Sequence, residues 1–103
     1  MKIDRADMEK TLQAIGRQAF PDDTEVHWHV REVMNRGGYV CVEAEPEPST
    51  VGYPRFRFVL RESPGGKWTD HGCYCLDGGK WSLLYTSPGT VKDWQSLGFD
   101  TAA

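Results

Sequence analysis

From Val26 to Thr86, large side chains recur at every second residue, in runs separated by glycine and proline. A two-residue period is that of strands with one packed and one wet face, so it commits this segment to a sheet. Val26, Trp28 and Val30 alternate with His27, His29 and Arg31. After a turn at Asn35-Arg36-Gly37-Gly38, Val40, Val42 and Ala44 alternate with Cys41, Glu43 and Glu45. Phe56, Phe58 and Leu60 alternate with Arg55, Arg57 and Arg61, and Ser63-Pro64-Gly65-Gly66 turns the chain again. Trp68 to Leu76 and Lys80 to Thr86 then flank Gly78-Gly79, a pair suited to the positive φ angles of a tight hairpin.

That hairpin makes the register testable. A two-residue loop pairs Leu76 with Trp81, Tyr74 with Leu83 and Gly72 with Tyr85, all on one face. Short connections predict a five-stranded antiparallel meander, because sequential strands usually neighbour each other. Glu32 falls on the face of Val30, so a bulge or a fraying end is expected there. The stretch from Pro46 to Pro54 reads as a loop, since its prolines cannot donate to a ladder.

Helices are expected at both ends. Met8, Leu12, Ile15 and Ala19 form one apolar stripe at helical spacing, with Asp4 as cap, Asp7 in the first turn and Pro21 as stop. Thr90 to Gly98 reads as a short capped helix that packs through Val91, Trp94 and Leu97. The expected architecture is one α+β domain over residues 1–103: an N-terminal helix on a five-stranded antiparallel meander, with a short C-terminal helix. A helix followed by a meander resembles the cystatin-like layout in element order. The Q-x-V-x-G loop by which cystatins block cysteine proteases is absent, so the resemblance implies a fold and no inhibitory activity.

Leu, Ile, Val and Phe supply only 20 of 103 residues, but four tryptophans and four tyrosines offset that shortage with large buried rings. Twelve basic against fifteen acidic side chains leave a net charge of −3, which argues against nucleic acid as the partner. The charged N-terminus lacks the apolar core of a signal peptide, and no run approaches the ~20 apolar residues of a membrane span. Three cysteines cannot all pair within one chain. A cytoplasmic, reduced protein away from membranes is therefore expected.

Under this register one face collects Trp28, Phe58, Trp68, Gly72, Tyr74 and Trp81. These residues form an aromatic core or, alternatively, a pocket for a small apolar ligand between helix and sheet, with Gly72 leaving room. The other face carries Val59, Cys73, Cys75 and Leu84 amid Arg55 and Arg57. An apolar centre with an arginine rim has the composition of a docking surface. Cross-strand pairs of His29 and Arg31 with Glu45 and Glu43, and of Arg55 and Arg57 with the same glutamates, set its register. Tyr53, on a stiff proline-rich loop with Val51, is a further contact candidate.

His71-x-Cys73-x-Cys75 resembles a ligand run. Alternate strand residues lie ~7 Å apart, however, so metal bonds of ~2.0–2.3 Å cannot gather all three. His71 and Cys73 remain a weak metal pair, with His27-x-His29 three strands away. A thiol nucleophile at Cys73 or Cys75 has Arg57 as its only supporting charge. No catalytic residues and no cofactor are implied. The chain is read as a non-enzymatic binding domain that associates with a protein partner or with itself. An inhibitor, immunity or accessory role fits such a domain. A small apolar ligand is the first alternative, and metal or thiol chemistry at His71, Cys73 and Cys75 the second.

Overall fold

The alternating runs fold as their period requires. In the computed structural model, which describes residues 4–23, 25–48, 52–86 and 97–100, one helix packs on a five-stranded antiparallel sheet. Helix α1 spans Arg5–Ala19, and strands β1 to β5 span His27–Arg36, Tyr39–Glu47, Phe56–Glu62, Trp68–Asp77 and Lys80–Thr86. The strands lie in sequence order, the expected meander. Asp4 caps the helix by accepting from the Ala6 amide at 3.0 Å. Most of the expected C-terminal helix, including Thr90, Val91 and Trp94, lies outside the described residues, as does Val51 of the loop.

Three bulges adjust the ladder. Val30 faces Ala44 while Glu32 faces Glu43, so Arg31 is the extra residue and Val33 returns to the helix side. This bulge moves Glu32 to the far face and answers the conflict seen in the sequence. His71 is extra between β3 and β4, and Leu84 between β4 and β5. The first hairpin turns through Gly37-Gly38 alone, since Arg36 faces Tyr39. β2 also runs further than expected: Pro46 is buried and opposite Trp28, not in a loop.

Both faces of the sheet carry a packed cluster, which overturns the premise of one wholly wet face. On the helix side, Met8, Leu12 and Ile15 pack with Trp28, Val42, Phe56, Phe58, Leu60, Cys73 and Cys75. Trp28 meets Phe56 and Phe58 edge-on at centroid distances of 5.2 and 5.0 Å. Gly16 lets the helix approach, because a Cβ there would lie 2.2 Å from the Trp28 ring nitrogen. On the far face, Tyr39, Cys41, Val59 and Tyr74 pack under Phe99, which has no exposed surface. Every residue of β2 from Tyr39 to Ala44 is consequently buried.

This second cover corrects the face assignment of β4. Phe58 faces Cys73 and Phe56 faces Cys75, so both thiols point to the helix side and Tyr74 to the far side. Alternation with one dry face puts Tyr74 and Trp81 beside Trp28 and Phe58. With Phe99 covering the other, Tyr74 and Trp81 are accommodated there.

Candidate functional site

On the far face, strands β1 to β3 carry a ladder of charges. Glu47 meets His29 at 3.2 Å, and Glu45 meets Arg31 at 3.5 Å and Arg55 at 3.1 Å. Glu43 meets Arg55 at 3.4 Å and Arg57 at 3.1 Å. Arg57 thus pairs with Glu43 and Arg55 with Glu45, as cross-strand register predicts, whereas the bulge turns Arg31 to Glu45 instead of Glu43. Exposure falls along the ladder until Glu43 and Arg57 are only 6% and 2% exposed.

Arg57 is held from three sides. Its Nε donates to Glu43, its terminal nitrogen donates to the Phe99 carbonyl, and its guanidinium lies 4.0 Å over the Trp81 ring. Arg36 holds the same C-terminal segment, donating to the Leu97 and Gly98 carbonyls at 3.0 and 3.2 Å. Arg57 faces Tyr74, not Cys73, so the charge expected to activate a thiol is absent from it.

The apolar row expected at the centre of a docking surface is interior. Val59 lies under Phe99, and Cys73 and Cys75 lie in the helix-side core. Tyr53 folds back edge-on to Phe56, 6.0 Å between centroids. Of that set Arg55 is half-exposed and bound to its glutamates, which leaves Leu84 as the accessible apolar member, 37% exposed. Leu83 beside it is 44% exposed, and these two are the exposed large hydrophobics among the described residues. Sequence reasoning missed Leu83 because it assigned that residue to the inner face with Tyr74.

The pocket set divides in the same way. Trp28 and Phe58 are solid core, and Trp68 is partly buried against that core. Gly72 faces Val59, and Tyr74 and Trp81 belong to the far-face cluster. No cavity between helix and sheet can be lined by all six.

Metal and thiol chemistry find little support in the placement. The His71 ring lies edge-on to Tyr39 at 5.4 Å, while Cys73 points into the opposite core. Among the described residues no group of three or more His, Cys, Asp or Glu is placed to hold a metal ion. Burial pushes the Cys41 thiol up to about 12 and raises Cys73 and Cys75 as well, the reverse of what a nucleophile needs.

The two edges of the sheet differ sharply. Along β1, Gln13 of α1 accepts from the Trp28 amide at 3.4 Å and donates to the Val26 carbonyl at 2.6 Å. Glu9, one turn earlier, accepts from the Val30 amide at 3.1 Å, and Arg5 donates to the Arg31 carbonyl at 3.4 Å. Over residues 26–31, helix side chains therefore occupy hydrogen-bonding groups that a further strand would need. β5 ends the sheet on the other side, and no described strand pairs along its far edge.

No family model, curated protein or solved structure matches this chain. No helix among the described residues is long and apolar enough to cross a membrane.

Proposed function

We propose that the protein acts by association, with β5 of one copy pairing antiparallel to β5 of a second. The observation that supports this is the adjacent exposed pair Leu83 and Leu84 on the strand that ends the sheet. An unpaired edge bearing apolar side chains is a template for strand addition. The sequence of β5 is compatible with its own reverse: a two-fold axis through Leu83 sets Lys80 against Thr86 and Trp81 against Tyr85, with no like charges opposed.

Because β5 pairs with its own copy across a two-fold axis, and α1 side chains occupy the opposite edge over residues 26–31, pairing closes at a dimer. The bulge at Leu84 shortens the regular ladder, which suits a small and reversible interface. This reading moves the docking surface from the sheet face, where the sequence put it, to the sheet edge, and it keeps Leu84.

Sedimentation equilibrium of the wild type and of Leu83→Lys tests it. The wild type should pass from 11.7 kDa to twice that mass as concentration rises, while the variant stays at 11.7 kDa with an unchanged melting temperature. Leu83 is exposed, so the substitution leaves both cores intact. A wild type that remains monomeric throughout, or a variant that dimerises equally well, sinks the proposal.

A further inference from the structure

A cleft between α1 and the β3–β4 turn is walled by Thr11, Ala14, Ile15 and Gln18 on one side and by Lys67 and Trp68 on the other. Its volume is about 370 Å³. The four helical residues follow the i, i+3, i+4, i+7 spacing that puts them on a single helix face. Ile15 is buried and supplies an apolar floor. The opposite rim is fixed by its own turn, in which the Ser63 amide donates to the Lys67 carbonyl at 2.7 Å and the Gly66 amide donates to the Ser63 carbonyl at 2.9 Å. Gly66 takes the positive φ of 81° that this turn requires. The volume falls within the range of small-molecule sites.

The Lys67 and Gln18 side chains that line the cleft have no polar partner among the described residues. Lys67 makes no ion pair there and is the one ionised side chain among the described residues that line the cleft. Trp68 packs on the rim of the helix-side core and, among the described residues, has no ring partner and no stacked cation, whereas Trp28 packs against two phenylalanines and Trp81 carries Arg57. The Gln18 amide has no hydrogen-bond partner among those residues, whereas Gln13 on the same helix is tied to β1. A tryptophan, a lysine and a glutamine thus line one space.

We infer that this cleft binds a small aromatic carboxylate. The ligand ring stacks on the Trp68 indole above Ile15, the carboxylate meets the Lys67 ammonium, and the Gln18 amide donates to a carboxylate oxygen. Each wall residue then has a role, and the site uses no residue of β5, so it stands whether or not the protein dimerises.

Two-dimensional 1H–15N NMR with indole-3-carboxylate as the probe tests the inference, with neutral indole and cyclohexanecarboxylate as controls. A ligand of this size should bind with a dissociation constant of about 1 mM or tighter. Saturable shifts are expected at the Trp68 indole N–H and at the Ala14 and Lys67 amides, with both controls roughly tenfold weaker. Lys67→Met should weaken the carboxylate about tenfold and leave indole unaffected, and Lys67 is exposed, so the fold tolerates it. Ala14→Trp, filling the cleft from an exposed position, should abolish all shifts there. Equal binding of indole and indole-3-carboxylate would overturn the carboxylate assignment. Shifts centred on other residues, or none, would overturn the site itself.

Discussion

Among the described carboxylates, Asp70 is one that burial disfavours as an anion. It faces Leu60 across the β3–β4 ladder, on the helix side, accepting from the Tyr85 hydroxyl at 2.7 Å and from the Gly72 amide at 3.2 Å. Burial pushes its carboxyl above the ordinary range, and these two hydrogen bonds only partly oppose that shift. The folded state therefore holds this proton more tightly than the unfolded chain does. Asp70 favours folding most at acid pH, and that contribution declines as pH rises from the ordinary carboxylate range through the raised value. Asp70→Asn keeps an acceptor for Tyr85 and removes the titration. The stability of the wild type relative to this variant should fall as pH is raised above about 4, then level off. Urea denaturation of both proteins across that range checks it, and a pH-independent difference would refute the shift. Arg57 and Glu43 are the contrasting case, because each charge there is buried with its partner. Removing one member alone typically costs about 3–5 kcal/mol, since the other is left uncompensated.

Among the elements, α1 has two duties that its amphipathic stripe only half reveals. Met8, Leu12 and Ile15 cover the helix-side core, while Glu9 and Gln13, one turn apart, reach the backbone of β1. Gln13 serves the edge as a neighbouring strand would, with one donor and one acceptor from a single amide. Gln13→Leu should destabilise the fold by about 1–2 kcal/mol, because it leaves a partly buried N–H and C=O without that partner. Hydrogen exchange at the Trp28 amide should accelerate more than exchange in β3, whereas uniform acceleration would mean that Gln13 acts only through global stability. The stripe and the five strands were legible because periods of 3.6 and 2 are written in the sequence. The edge contacts were not, since Gln13 on a polar helix face looks like any solvated side chain. The bulge at Arg31 was legible through one misplaced charge, Glu32. The bulge at Leu84 left no such sign, because Leu83 and Tyr85 beside it are both apolar, while the bulge at His71 has a charge beside it, Asp70, that alternation alone does not flag. Leu83, which carries the proposed dimer edge, keeps its expected partner Tyr74, and both fall on the far face because that face is dry as well.

At the scale of the whole molecule, the sheet separates two cores of unequal construction. The helix-side core is closed by a fifteen-residue helix tied to β1, whereas the far-face core is covered by a segment that includes Leu97 and Phe99. Two arginines secure that segment through three successive carbonyls, and Phe99 fills the space over Cys41 and Val59. Local stability should follow this difference, since protection depends on how much apolar contact holds each cover in place. The three free cysteines report it directly: Cys41 lies in the far-face core, and Cys73 and Cys75 lie in the other. Phe99→Ala removes a fully buried ring, at a cost of about 3–5 kcal/mol. Cys41 should then react with a thiol reagent well before Cys73 and Cys75, as peptide mapping of partly labelled protein reads out. Equal labelling of all three would mean that the cores open together, and that the C-terminal cover is as integral to the fold as α1. Preferential labelling of Cys41 would establish the far face as a separable unit, one that opens while the helix and its edge contacts stay in place.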